Sequence, residues 1–181
     1  MTMKENKTTG IMIRETTSDD FDEVLALYPQ AFPDEELRPI VSALLDGEHE
    51  TLSLAAFGDD KLVAHVLFTF CGMQVDDRNR ALLAPLGVIP SHQGLGFGTL
   101  IVRAGIARLE KSEIGQLFVL GDPAYYSRFC FVTEHNVLAP YHIPEEWANA
   151  WQSLQLSTGA PAAQGRLLLP EPWMQPVLWG P

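Results

Sequence analysis

The sequence predicts a mixed α/β fold and argues against a doubly wound parallel sheet. The predicted elements run strand, two helices, three strands, helix, strand, short helix, strand. Three consecutive strands precede a glycine-rich stretch, whereas a doubly wound sheet alternates strands with helices. The composition is that of a globular protein, because 46% of the residues are hydrophobic and 19% are charged.

Hydrophobic periodicity places the elements of the first half. "IMIRET" at 11–16 is β-prone, and the next stretch, capped by Ser18 or Asp19, has helical spacing until Pro33. "DEELRPIVSALLDG" predicts a second helix that is entered through acidic residues and closes near Gly47. Two β-prone runs across "GDD" then predict a hairpin, at 51–57 and 61–71.

The second half alternates strands and helices before it becomes irregular. The predicted elements are a strand at 81–90, a helix at 99–113, a strand at 115–122, a short helix at 123–129 and a strand at 130–136. "IPEEWANAWQSLQL" fits either a helix or a strand after a turn. A loop at 157–165 and a final strand in "GRLLLPEPW" complete the prediction.

The length and net charge of the chain restrict its domain organisation and its binding partners. The 181 residues predict a loose tail at 1–10 and one domain at 11–181, as a monomer or a homodimer. The net charge of −11 argues against binding to nucleic acid or to anionic membranes. The chain has no apolar signal segment and no apolar run long enough to span a membrane, so a cytoplasmic location is expected.

The cysteines and histidines predict no metal site. Cys71 and Cys130 have no metal-ligand spacing and are interpreted as reduced thiols. No pair of histidines has such a spacing either. His65 lies in the middle of a strand, where packing or hydrogen bonding is a commoner use than catalysis.

The stretch "PSHQGLGFG" between a strand and a helix predicts an anion site. Backbone N–H groups at a glycine-rich helix start face outward where the helix dipole is positive, and pyrophosphate is a common occupant. The lysine of a P-loop is absent, and Thr99 stands where a dinucleotide motif has its third glycine. Gln93, Gly96 and Gly98 fit a third pattern, Q/R-x-x-G-x-G/A. A glycine-rich helix entry without a ligand stays open.

The segment from "LGVIP" to "YYSRFCFV" resembles the GNAT N-acetyltransferase superfamily, and most of all its YhbS-like subgroup of small bacterial members. "VLGDPAYYSRFCF" and "PYHIP" carry this resemblance, which extends over 11–175. It implies a mostly antiparallel mixed sheet of about six to seven strands flanked by about four helices, splayed between the strands at 81–90 and 115–122. Cys130, His92 and the stretch after "PEEW" depart from the subgroup's pattern.

The resemblance implies that acetyl-CoA is the cosubstrate, with no metal. The strand backbone at Leu86 and Val88 would pair with its pantetheine arm. The pyrophosphate would be bound by a turn that consists of Gln93, Gly94, Leu95, Gly96, Phe97, Gly98 and Thr99.

The resemblance also places Tyr126 where many members carry a tyrosine that protonates the CoA thiolate, and Tyr125 is then expected to pack.

The general base that would take the proton of the attacking amine is left open. The strand at 81–90 has no carboxylate, and Asp122 is either a base or a turn residue before Pro123. Glu35 and Glu36 would contact a cationic substrate or form a solvated helix start. The four tryptophans, all late in the chain, would pack in the core or wall the acceptor site.

The resulting hypothesis is an N-acetyltransferase that transfers the acetyl group of acetyl-CoA to an amine by direct attack in a ternary complex. The amine is a small molecule or a peptide. The alternative is an acyl-CoA sensor without catalysis, which the missing carboxylate on the strand at 81–90 slightly favours. A dinucleotide-binding oxidoreductase is a weaker alternative because the third glycine of its motif is displaced.

Overall fold

The computed structural model describes residues 10–74, 79–157 and 163–180. Most of the predicted tail at 1–10, and parts of the predicted connections at 74–80 and 157–165, lie outside these ranges. The prediction of one domain at 11–181 stays a prediction.

The described residues form a mixed α/β structure, as predicted. The strands are β1 (Ile11–Glu15), β2 (Thr51–Gly58), β3 (Lys61–Met73), β4 (Arg80–Val88), β5 (Gln116–Leu120), β6 (Val132–Thr133), β7 (Val137–Leu138), β8 (Trp151–Gln155) and β9 (Gly165–Leu168). The α-helices are α1 (Phe21–Ala31), α2 (Arg38–Leu45), α3 (Phe97–Leu109) and α4 (Pro123–Tyr126).

Seven of these strands make one continuous path in the order β1-β2-β3-β4-β5-β8-β6. All neighbours along it are antiparallel except β4 and β5, which are parallel. The β4–β5 pairing ends at Leu82 and Phe118, although β4 continues to Val88. The predicted splay between these two strands is therefore present, and within the described residues it leaves the second half of β4 unpaired on that edge.

Two local predictions need correction. The second helix begins at Arg38 rather than in the acidic stretch before it, because Pro39 lacks a backbone N–H and is favoured in the first turn of a helix. For "IPEEWANAWQSLQL", in contrast, the alternative of a strand after a turn is confirmed, because the 3₁₀ helix Glu145–Ala150 directly precedes strand β8. The strand predicted at 130–136 is only the two residues of β6.

The sheet separates two hydrophobic clusters. Successive strand residues point to opposite faces, so Leu82 belongs to one cluster and Leu83 to the other. The first cluster packs α1 and α2, together with Trp173 and Trp179 from the C-terminal segment, against one face. The second packs α3 against the other face. Helices on both faces hold the central strands, and hence the splayed edge of β4, in place.

His65 is buried in β3 and both of its ring nitrogens are hydrogen-bonded. Its Nδ1 lies 2.6 Å from the Tyr28 hydroxyl, and its Nε2 lies 2.8 Å from the Ser53 hydroxyl. A neutral imidazole has one donor nitrogen and one acceptor nitrogen, and the two hydroxyls satisfy both of them. Burial lowers the pKa of His65 to about 3. The interpretation of His65 as a hydrogen-bonded core residue agrees with this geometry.

This burial predicts a pH-dependent stability. Between the unfolded pKa of about 6.5 and the folded pKa of about 3, the unfolded chain binds a proton that the folded chain does not. The free energy of unfolding should therefore fall by about 1.4 kcal/mol per pH unit through His65 alone as the pH drops below 6.5. Urea denaturation at several pH values should show a shallower dependence for His65→Gln, even though this variant is less stable at pH 7.5.

The exposed His135 supplies the control for this comparison, because His135→Gln removes a histidine without removing a buried ring. It should keep the pH dependence of the wild type. Equal slopes for His65→Gln and the wild type would contradict the assignment.

Candidate active site

The glycine turn presents backbone N–H groups to open space. Gly94 and Gly96 have φ values of +73° and +90°, and a Cβ at either position would meet no atom within 4 Å. Gly96 is the N-cap of α3, so the N–H groups of the first turn have no partner within the helix. The first backbone bond of α3 runs from the Leu100 N–H to the Gly96 carbonyl. The turn thus combines free donors, a positive helix end and room for an anion.

The free edge of β4 leads into this turn. The Ile89 N–H donates to the Val63 carbonyl on β3. Because backbone groups alternate along a strand, the Val88 N–H points to the opposite edge, where pairing with β5 has ended. The Gln93 side-chain amide donates to the Val88 carbonyl at 3.0 Å. Gln93 therefore ties the turn to the strand through its side chain, a role that differs from direct contact with a ligand.

A cavity of about 470 Å³ lies between the turn and this strand edge. We call it the glycine cavity, and its walls include Leu86, Val88, His92, Gln93, Gly94, Gly96, Gly98, Thr99, Tyr125, Tyr126 and Arg128. Seven of the nine residues predicted to bind the cofactor are among them, and Leu95 and Phe97 are not. The ring of Phe97 is buried in the core, and the Leu95 side chain is exposed.

Arg128 brings a positive charge to the glycine cavity. Its guanidinium lies over the Tyr125 ring, 4.3 Å from the centroid, and donates to the Tyr125 carbonyl. It also lies 3.5 Å from the Thr99 hydroxyl, in the first turn of α3. In a chain of net charge −11, a guanidinium beside a helix N-terminus makes a local site for an anion.

Tyr126 is a buried residue in the wall of the glycine cavity. Its side chain is 9% exposed, and its hydroxyl makes no hydrogen bond to any residue in the described ranges. Burial, followed by the neighbouring Tyr125, raises the pKa of Tyr126 above its ordinary value. A Cβ on Gly121 would lie 2.4 Å from the Tyr126 ring, so the glycine allows this close packing. The hydroxyl therefore stays protonated and available as a donor.

A second cavity of about 740 Å³ lies on the other side of Tyr126. We call it the tryptophan cavity, because Trp147 and Trp173 form part of its wall. Four residues line both cavities: Phe32, Leu86, Asp122 and Tyr126. The two cavities thus adjoin each other at these four residues, one of which is Tyr126.

Acidic side chains lie at the tryptophan cavity as well. One carboxylate oxygen of Asp122 accepts from the Ala124 N–H at 2.9 Å and caps α4. Asp122 is thus a turn residue, and it also faces both cavities. Glu35 lines the tryptophan cavity, whereas Glu36 forms an ion pair with Arg38 that lowers the pKa of the glutamate to about 2. Of the two glutamates considered from the sequence, only Glu35 reaches this cavity.

Arg128, Tyr125 and Phe32 are wall residues whose place in the site was not predicted from the sequence. Arg128 stands inside the motif "YYSRFCF", where a positive charge close to the glycine turn was a usable signal. Tyr125 was expected only to pack, and its hydroxyl contacts the first turn of α3. Phe32 follows α1 and reaches both cavities through a chain reversal that no local pattern reveals.

Comparison with known proteins gives the family. A model of the Acetyltransferase (GNAT) family matches residues 15–127, which is more than half of the chain. The chain belongs to the GNAT family. A GNAT relative is YjhQ of Escherichia coli (strain K12), described as an uncharacterized N-acetyltransferase. It is 33% identical over 165 residues, which are 87% of this chain and 91% of YjhQ.

Solved GNAT structures share the fold. The crystal structure of E. coli YhbS in complex with CoA has a TM-score of 0.83 at 24% identity, over 96% of this chain and 97% of that one. A GNAT family acetyltransferase from Brucella melitensis in complex with acetyl-CoA has a TM-score of 0.75 at 25% identity, over 91% and 98%. This GNAT protein is an acetyl-CoA-dependent N-acyltransferase.

The described ranges contain neither a membrane-spanning helix nor a cluster of metal ligands. No helix there is long and apolar enough to cross a membrane. No group of three or more His, Cys, Asp and Glu side chains there is arranged to hold a metal ion.

Proposed function

We propose that this protein transfers the acetyl group of acetyl-CoA to an amine by direct attack while both substrates are bound. The observation that carries the proposal is the meeting of the two cavities at Tyr126. One cavity has the free backbone donors that suit a pyrophosphate, and the other is open for a second reactant. Two bound reactants that face each other gain a large rate advantage from orientation alone.

The glycine cavity fits acetyl-CoA in two respects. The positive φ and the open space at Gly94 and Gly96 make room for phosphate oxygens beside free N–H groups. The free edge of β4 at Leu86 and Val88 offers backbone partners to the amides of the pantetheine arm. The turn from Gln93 to Thr99 would hold the pyrophosphate, with Arg128 close to it.

Bound acetyl-CoA would supply an activated thioester. The Val88 N–H points to the free edge of β4 and would donate to the developing oxyanion of the thioester carbonyl. Tyr126 would give its hydroxyl proton to the departing thiolate. Asp122, at the junction of the cavities, would accept the proton that the attacking amine gives up.

Binding and turnover test this proposal separately. Calorimetry should detect binding of both acetyl-CoA and CoA, and a thiol assay should detect CoA release with at least one member of an amine panel. Absence of binding at high micromolar concentration would contradict the proposal. Binding without turnover for any amine would support the acyl-CoA sensor instead.

Arg128 is expected to contribute measurably to the affinity for acetyl-CoA. Arg128→Gln should weaken acetyl-CoA binding about ten-fold, because a charge-assisted hydrogen bond to phosphate is lost. The binding constant should also become less sensitive to salt. Calorimetry at two salt concentrations measures both effects.

Arg108→Gln is the matched control, since it makes the same change of net charge at the far end of α3. The wild-type affinity should be retained there. An equal loss in the two variants would show that overall charge, not contact at Arg128, sets the affinity.

A further inference from the structure

The tryptophan cavity has mostly apolar walls. Among its described lining residues are Leu37, Leu120, Val177 and Leu178, in addition to the two tryptophans. Its volume of about 740 Å³ is in the range of cavities that enclose small organic ligands. A ligand that buries methylene or ring carbons against such walls removes them from water, which stabilises its binding.

The charges of this cavity have one sign. Its charged residues in the described ranges are Glu35 and Asp122, and no lysine, arginine or histidine from those ranges lines it. One carboxylate oxygen of Asp122 is held by the cap of α4, and the other accepts no hydrogen bond from a described residue. The cavity therefore favours a cationic ligand and disfavours an anionic one.

The apolar character extends to the mouth of the cavity. Trp147 is 41% exposed and Val177 is 75% exposed, and both line the cavity. Exposed apolar side chains around an opening mark a binding surface for an apolar group. A ligand whose ammonium group pairs with Glu35 and Asp122 would place its far end against these apolar side chains, where a second charge is unfavourable.

From these walls we propose that the acceptor is a small primary amine with a single positive charge and an apolar body. This inference rests on the proposed acetyl transfer. Asp122 takes the ammonium proton and passes it to water, and the free amine attacks the thioester carbonyl. The new C–N bond forms as the C–S bond breaks, the thiolate takes a proton from Tyr126, and the second proton that the nitrogen loses returns to the Tyr126 oxygen through water. The products are an N-acetyl amide and CoA.

A series of amines tests the inference with the full chain and acetyl-CoA. Ethylamine and hexylamine have nearly equal basicity and differ only in apolar length, whereas hexane-1,6-diamine adds a second charge at the far end. We expect kcat/KM to rise by up to about four-fold per added methylene. We expect hexane-1,6-diamine and spermidine to be at least about ten-fold poorer than hexylamine, because their distal charges lose water.

Substitutions separate the contribution of the apolar wall to amine binding from the contribution of the acidic charge. Trp147→Ala should raise the KM of hexylamine about ten-fold and change that of ethylamine little, while acetyl-CoA affinity stays constant. Leu138→Ala, at a residue that is 54% exposed and outside both cavities, is the control and should change neither. Glu35→Gln should raise the KM of all cationic amines by a similar factor, whatever their length.

The outcomes distinguish this inference from the proposed function. Lack of acetyl-CoA binding, or of CoA release with every amine, overturns the transferase proposal and this inference with it. Turnover that prefers spermidine, hexane-1,6-diamine or a peptide with an N-terminal phenylalanine over hexylamine overturns this inference alone. A preference for hexylamine that Trp147→Ala abolishes supports it.

Discussion

Replacing Tyr126 with phenylalanine is expected to lower kcat about 100-fold and to leave the affinity for acetyl-CoA nearly unchanged. The change removes one oxygen, and that oxygen makes no hydrogen bond to a described residue, so the fold loses little. What is lost is the proton for the departing thiolate. Steady-state kinetics together with calorimetry measure the two quantities.

The pH profile adds a second test of this role. Burial raises the pKa of Tyr126, so the wild-type hydroxyl stays protonated up to and beyond the ordinary tyrosine pKa of about 10. Loss of the Tyr126 proton should therefore not limit kcat below that pH. A basic limb near neutral pH that disappears in Tyr126→Phe would contradict this.

Tyr125 provides the matched comparison. Its hydroxyl contacts the first turn of α3 and lines only the glycine cavity. Tyr125→Phe should therefore act mainly on acetyl-CoA affinity and change kcat by no more than a few-fold. If Tyr125→Phe lost the turnover and Tyr126→Phe lost the affinity, the two assignments would be exchanged.

Gly96→Ala is expected to reduce acetyl-CoA affinity by at least about ten-fold and to destabilise the fold by about 1–2 kcal/mol. The stability is lost because Gly96 has a φ of +90°, which places the new Cβ close to its own carbonyl. The affinity is lost because the methyl group would occupy the open space in front of the free N–H groups. Calorimetry and urea denaturation measure the two effects.

Gly47 offers a control with the same backbone strain. It also has a φ of +90° and open space around its Cβ, but it follows α2 and lines neither cavity. Gly47→Ala should lose similar stability and keep the wild-type affinity. An equal affinity loss in the two variants would mean that strain, rather than occupation of the anion site, explains the result for Gly96.

Much of the cofactor side of the site could be predicted because its chemistry is local. The glycine turn, the helix after it and the strand before it are contiguous, so spacing alone places free N–H groups at a helix start. The motif that contains Tyr126 likewise lies on one short segment. The beginning of the second helix was less predictable, since an acidic stretch favours a helix start and Pro39 overrides it by fixing which residue is in the first turn.

The acceptor side depends on contacts between distant segments. Glu35 follows α1, Asp122 follows β5, and Trp147 and Val177 belong to the last third of the chain. No spacing rule relates these positions, because the sheet order and the packing of the C-terminal segment bring them to one cavity.

The sequence by itself therefore determined the mixed α/β class and the glycine turn, because periodicity and spacing are local signals. Its resemblance to the GNAT superfamily indicated Tyr126 and the splay between β4 and β5. The tertiary structure decided that Arg128 reaches the helix start and that two cavities share Tyr126 in their walls. These features depend on packing between residues that are far apart in the sequence, so no local sequence pattern reveals them.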